Sequence, residues 1–231
     1  AHDLVPITQR YRFIVMALKR ADGAIAWQRT VRDELPHESV HYTASLASNS
    51  PVTDGEFLFA FFGSHGLYCL NLDGELQWKK DFGKMQSKHG HGEGSSPALH
   101  GNTLIINWDH EGQSYLYALD KTNGKTIWRT ERDEPTCWAT PLIVNHEGKK
   151  QIVMNGQTRA RSYVLESGKE LWRCGGQTPR PVASPVAAGG LVFVGSGFRG
   201  SFLAAFRLDG KGDIKGTESV RWVIDRDTPD I

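Results

Sequence analysis

Cysteine is scarce in this chain: Cys69, Cys137 and Cys174 are three among 231 residues, far apart and odd in number. None belongs to a Cys-x-x-Cys pair, so the spacing suggests neither a zinc site nor a redox dithiol. Cys69 reads as a small buried hydrophobe. Long apolar runs are missing too; no stretch approaches the roughly 18 residues a spanning helix needs. Charge of one sign is not in excess, with 27 Lys and Arg against 26 Asp and Glu and a formal charge of +1. The total therefore gives no argument for nucleic acid or an anionic membrane as partner. No ten-residue stretch has helical periodicity, which excludes helical solenoids. A Gly-x-Ser-x-Gly elbow, a His-Glu-x-x-His helix and a Walker loop are all absent. Residues 1–6 have neither a basic start nor an apolar core, so no signal peptide is read there.

Tryptophan, by contrast, is plentiful and regular. Trp27, Trp78, Trp128, Trp172 and Trp222 follow one another at intervals of 51, 50, 44 and 50 residues. Four of them have a glycine four residues earlier: Gly23, Gly74, Gly124 and Gly168. A second signal keeps step, in Ser50-Pro51, Ser96-Pro97, Thr140-Pro141 and Ser184-Pro185. Between these marks lie short apolar runs and turns, as in residues 96–128, where Asn123-Gly124 supplies the positive φ of a tight hairpin turn. Four strands in each unit of about 40 to 50 residues describe a propeller blade.

The sequence Ala118-x-Asp120-x-x-x-Gly124-x-x-x-Trp128 resembles the tryptophan-docking motif of quinoprotein-type (PQQ-like) β-propeller repeats, and the likeness covers nearly the whole chain. Elsewhere Cys69 and Val164 are read in place of the Ala, and Asn71 and Glu166 in place of the Asp; the last unit carries an insertion, residues 209–219. That insertion and the Ser-Pro starts resemble a bacterial subgroup of PQQ-binding-like propeller proteins. The resemblance implies that each Trp packs on a neighbouring blade, with the small residue and the Gly leaving room for the indole. The expected fold is all-β: one partial propeller domain over residues 1–231, about four and a half blades of a ring of seven or eight. The units are expected near 1–30, 44–80, 92–130, 136–174 and 180–224. Missing blades or a second copy are expected to close the ring, because an open arc leaves apolar faces and strand edges in water.

Loops between blades gather at one rim, the usual place for ligands. Here they span residues 29–49, 79–95, 129–139 and 173–183, with the C-terminal tail, and hold Arg32, Asp33, Glu34, His37, His41, Lys84, Lys88, Asp133 and Glu134 among others. Arg132, Trp138, Arg180 and His41 are the candidate rim contacts, since Arg and aromatic side chains supply most interface energy. His89, His91 and Glu93, on a glycine-rich stretch, could be part of a metal site only if another blade adds a ligand. A plain turn is the simpler reading. Gly195-x-Gly197-x-x-Gly200 matches a dinucleotide fingerprint, but a strand-like run follows where a helix is required. Asp209, Asp213 and Glu218 are read as solvated turn acids. Trp138 is expected near the channel and Trp108 over a blade edge.

The resemblance implies two alternative functions. Quinoprotein dehydrogenases hold PQQ with calcium over the channel, whereas the outer-membrane assembly lipoproteins use the propeller as a noncatalytic scaffold. No cofactor or calcium constellation is assignable to residues of this chain. The expectation is therefore a noncatalytic binding propeller of the periplasm or cell envelope, engaging a protein, small molecule or glycan at its rim. A PQQ- or metal-dependent oxidoreductase is the alternative, and a carbohydrate-binding propeller a third.

Overall fold

The computed structural model describes residues 4–228. Among them the helical elements are two single 3-10 turns, Gly63–His65 and Lys88–Gly90. The first sheet is a two-stranded half-blade, Tyr11–Leu18 paired with Ile25–Glu34. Four complete blades follow, each an antiparallel meander in chain order. Blade one is Val52–Thr53, Phe57–Phe61, Leu67–Asn71 and Leu76–Lys80; blade two is Ala98–His100, Thr103–Trp108, Ser114–Asp120 and Thr126–Arg132. Blade three is Leu142–His146, Lys149–Met154, Arg159–Val164 and Glu170–Gly175; blade four is Val186–Ala188, Leu191–Ser196, Phe202–Arg207 and Val220–Ile224. Leu4–Val5 also pairs with Val40–His41. The molecule is a partial β-propeller.

The core lies between blades. Successive strand residues point to opposite faces, so a strand buried on both sides must be apolar throughout. Leu104, Ile105 and Ile106 obey this: Leu104 and Ile106 pack with Phe59 and Leu67 of blade one, and Ile105 packs with Ile152 and Met154 of blade three. Each such side chain contributes about 1.5–3 kcal/mol through burial. At the last seam Val153 and Trp172 meet Val192, Val194 and Phe206.

Tryptophan links the blades in series. The indole N–H of Trp27 donates to Leu72 O (2.8 Å), that of Trp78 to Lys121 O (2.9 Å) and that of Trp128 to Leu165 O (3.0 Å). Each ring lies against the next blade's turn glycine; a β-carbon on Gly74, Gly124 or Gly168 would stand 2.5–2.7 Å from indole atoms of Trp27, Trp78 or Trp128. These glycines also have φ between +68° and +81°, so their turns and the indole contact require the same residue. Gly23 has only the turn requirement, with open space around it. Across the sheet each Trp faces a small residue followed by a β-bulge: Ala17, Cys69, Ala118, Ser162 and Ala205. The small position in blade three is thus Ser162, ten residues before its Trp as Ala118 is; the expected Val164 lies two residues further on, beyond the bulge. Asp120 instead caps its turn, accepting from the Thr122 N–H at 2.8 Å.

Trp172 departs from the series. Its equivalent acceptor, Leu208 O, takes Gln151 Nε2 (2.9 Å), and the buried Trp172 Nε1 has no hydrogen-bond partner. The insertion covers this ring: Gly212–Asp213 pairs in parallel with Trp172–Arg173, giving blade three a fifth strand, and buried Ile214 packs in the same cluster. Trp222 is 39% exposed and meets no further blade among the described residues.

A second ladder explains the Ser/Thr-Pro signal. The Ser50 N–H donates to Ser96 Oγ (2.9 Å), the Ser96 N–H to Thr140 Oγ1 (3.1 Å), and the Thr140 N–H to Ser184 Oγ (2.9 Å). The head of each inner strand is thereby tied to the next blade.

Candidate functional site

In a meander, turns alternate between two faces. One face carries the blade-to-blade linkers together with the turns between second and third strands, and four carboxylates wire these segments to one another. Glu93 accepts both the N–H and the hydroxyl of Ser64, each at 2.6 Å. Glu38 does the same for Ser87 (3.0 and 3.0 Å), Glu111 for Thr136 (3.2 and 2.8 Å), and Glu134 for Thr158 (2.8 and 2.6 Å). Burial pushes the Glu93 carboxyl above its ordinary pKa against the Ser64 bonds. For Glu111 burial acts in the same direction, but Thr136 and Lys88 outweigh it and hold the group low. Charge-assisted bonds to N–H and O–H are the stronger kind, so these loops are held as a unit.

The sequence-derived rim residues divide into structural and exposed groups. Arg132 is not a rim contact: its side chain is fully buried, with Nε and Nη2 on the two Asp109 oxygens (2.8 and 2.9 Å) and Nη1 on the Tyr163 hydroxyl. It is the last residue of the outer strand of blade two, where inter-blade packing encloses it. A guanidinium does not deprotonate there; burial raises the pKa of Asp109, and the paired Arg132 opposes that rise. Arg161, a residue the sequence reading passed over, pairs with Asp133 and with Glu134 (2.8 Å). Arg32 is shared by Glu34 (2.6 Å) and Asp81 (3.0 Å), and Glu34 also meets His65 Nδ1 at 2.5 Å. Burial lowers the pKa of His65, although Glu34 opposes it. His37 Nε2 lies 2.8 Å from Met85 O, and Lys88 is 3.1 Å from Glu111.

Three rim candidates keep an accessible surface. Half-buried Trp138 donates to Gly92 O (2.8 Å) and borders a small void. His41 accepts or donates at Thr43 Oγ1 (2.7 Å) and lies beside His91, ring centroids 5.1 Å apart. Arg180 rests 4.6 Å from the centre of the Phe198 ring. The proposed metal trio is not drawn together around a common point: His89 and His91 are 5.6 Å apart by ring centroid, and both Glu93 oxygens face Ser64. Among the described residues no three His, Cys, Asp or Glu side chains form a metal-holding group. Trp108 is buried against Phe61 and Phe82 rather than lying over an edge. Gly195–Gly200 joins two strands, as a hairpin does. The final residues of the C-terminal tail, 229–231, and the first three of the N-terminal stretch lie outside the described residues.

This repeating, tryptophan-linked arrangement of four-stranded sheets defines a PQQ-like repeat β-propeller. Residues 11–223 match the family described as outer membrane protein assembly factor BamB, and the chain belongs to that family. No curated protein sequence matches it. Among solved structures it is similar to BamB from Moraxella catarrhalis, at 14% identity and a TM-score of 0.61, over 91% of this chain and 58% of that one. It is also similar to the quinohemoprotein alcohol dehydrogenase of Comamonas testosteroni, at 14% identity and a TM-score of 0.53, over 78% of this chain and 35% of that one. A europium-containing methanol dehydrogenase is 11% identical with a TM-score of 0.58, over 97% of this chain and 49% of that one. The chain thus spans between a third and three fifths of these structures, which share its fold.

The quinoprotein neighbours raise the question of a PQQ site. The two voids beneath the linker face, on either side of Glu93, hold about 10 Å³ each, the space of one water. A larger groove of about 420 Å³ beside the half-blade is lined by apolar residues such as Val5, Phe13, Leu46 and Phe62, with Arg12 as its one charge. The voids are too small for a tricarboxylic quinone, and the groove has one charge to meet its carboxylates, so these three cavities do not fit that group.

Proposed function

We propose that this chain is a noncatalytic binding scaffold of the cell envelope and that its linker face is the working surface. The observation that carries the reading is how the acids of that face are engaged. Glu38, Glu93, Asp109, Glu111 and Glu134 are five acids of that face, and each is already bonded to a Ser, Thr or Arg of a neighbouring segment. Such an arrangement stiffens loops for recognition rather than presenting a reactive group. The similarity to BamB supports a protein as the partner and the periplasm as the location. The contacts of Trp27, Trp78 and Trp128 support reading the repeat as a tryptophan-docking array that makes this face rigid.

The test is cross-linking in an envelope fraction of the native organism. His41→Ala, Trp138→Ala and Arg180→Ala together are expected to remove a discrete adduct given by the unaltered chain, with little change in thermal midpoint. An undiminished adduct contradicts the reading. So does visible absorbance with dye-linked alcohol oxidation after adding PQQ and calcium, which would establish the oxidoreductase alternative.

A further inference from the structure

The turn between Leu191–Ser196 and Phe202–Arg207 places two guanidiniums on one aromatic ring. Arg180, from the linker entering blade four, lies 4.6 Å from the Phe198 centroid, and Arg199 lies 5.2 Å from it. The two segments are fixed to each other by the Thr178 N–H on Ser196 Oγ at 2.8 Å. Both arginines hold left-handed backbone, with φ of 60° and 53°. That conformation is uncommon and costly for a residue with a β-carbon, and it persists only where the surroundings enforce it.

These two cations differ from the paired arginines of the face. Arg32, Arg132 and Arg161 each pair with carboxylates. Arg180 and Arg199 enter no ion pair among the described residues. Stacking on Phe198 holds two like charges close together without an acid to neutralise them. In the same linker Gln177 Oε1 and Thr178 Oγ1 are buried with no hydrogen-bond partner, so its polar groups are not all satisfied by the fold.

We propose that Arg180, Phe198 and Arg199 form a docking site for an acidic peptide segment of a protein partner. A guanidinium presents paired donors that match a carboxylate bidentately, and the ring beneath limits the rotamer freedom lost on binding. Gln177 supplies an acceptor for a peptide N–H once the linker adjusts. A membrane or nucleic acid would call for a broad field of cations; here two stand at a fixed spacing on a chain of net charge +1. The proposal rests on the reading of the linker face as a partner-binding surface.

The experiment is fluorescence anisotropy with a short labelled peptide in which Glu alternates with Gly, against its Gln counterpart, at low salt. The unaltered chain is expected to bind the Glu peptide about tenfold or more tightly than the Gln peptide, and Arg180→Gln with Arg199→Gln to abolish that preference. Arg180→Lys with Arg199→Lys keeps the charge and is expected to recover part of it. Circular dichroism and thermal midpoint check that the variants fold. No binding, equal affinity for the two peptides, or a preference that survives the Gln pair overturns the proposal. Binding to phosphatidylglycerol vesicles that the Gln pair removes, without peptide binding, assigns the site to a lipid surface and overturns it too. If the Gln pair keeps the envelope adduct while His41→Ala with Trp138→Ala loses it, this site falls and the partner-binding reading stands; if neither pair affects it, the reading itself falls.

Discussion

A tryptophan at each blade edge does two separable jobs, and Trp172 shows how to separate them. Trp128 buries its ring and satisfies its N–H at Leu165 O, whereas Trp172 buries its ring and leaves Nε1 unpaired. Truncating Trp128 to Ala should cost about 3–5 kcal/mol. Trp128→Phe should cost about 0.5–1.5 kcal/mol more than Trp172→Phe, because only the first removes a hydrogen bond while the second removes a buried orphan donor. Urea titrations of the two Phe variants check this; equal losses would contradict the distinction. A glycine pair makes a parallel case. Gly74→Ala meets both a positive φ and the Trp27 ring, whereas Gly148→Ala meets a positive φ in open space. The first should lose clearly more than about 1 kcal/mol, and more than the second. At this scale the sequence was readable for apolar and conformational roles: the Trp period, the glycines and, at Ala17, Cys69 and Ala118 though not in blade three, the small residue opposite the indole. It was not readable for charge. Arg132 and Arg180 look alike in the chain, and only the position of Asp109, 23 residues away, buries one of them.

Among elements, the strands and their order followed from apolar runs and turn residues, while the connections between blades did not. The insertion in the last unit could be seen as extra turn residues, but its use as a fifth strand on blade three arises only when it lies beside Trp172–Arg173. The Ser/Thr-Pro heads were visible as a period, yet their bonding to the next blade arises only when two strands stand side by side. The opposite face has its own link, Lys121 of blade two to Asp54 of blade one. The Lys121 hydrogen bond holds Asp54 at a pKa of about 2. A depressed carboxyl stabilises the fold above its unfolded value of about 4, and that contribution is lost as pH falls toward about 2. Asp54→Asn should therefore flatten the fall in thermal midpoint across that window and leave its slope from pH 5 to 7 unchanged. A slope unaltered between pH 4 and 2 would show that the pair contributes nothing measurable, as happens for many exposed ion pairs.

For the whole molecule, the seams set the architecture and the linker face is the proposed working surface. Seam contacts recur in register, so a single sequence shows them; the face is assembled from side chains of five units, and no single unit reveals it. Glu93, the acid read as a possible ligand, is bonded to Ser64, and the proposed recognition surface lies around Arg180, Phe198 and His41. The most direct measurement is site-specific photo-cross-linking in the envelope, with the photoreactive residue placed at Arg199 on the linker face and, separately, at Lys149, which follows a hairpin turn of the opposite face. The scaffold account predicts a discrete protein adduct from position 199 and none from 149. Adducts from 149 alone, or from neither position, would contradict it.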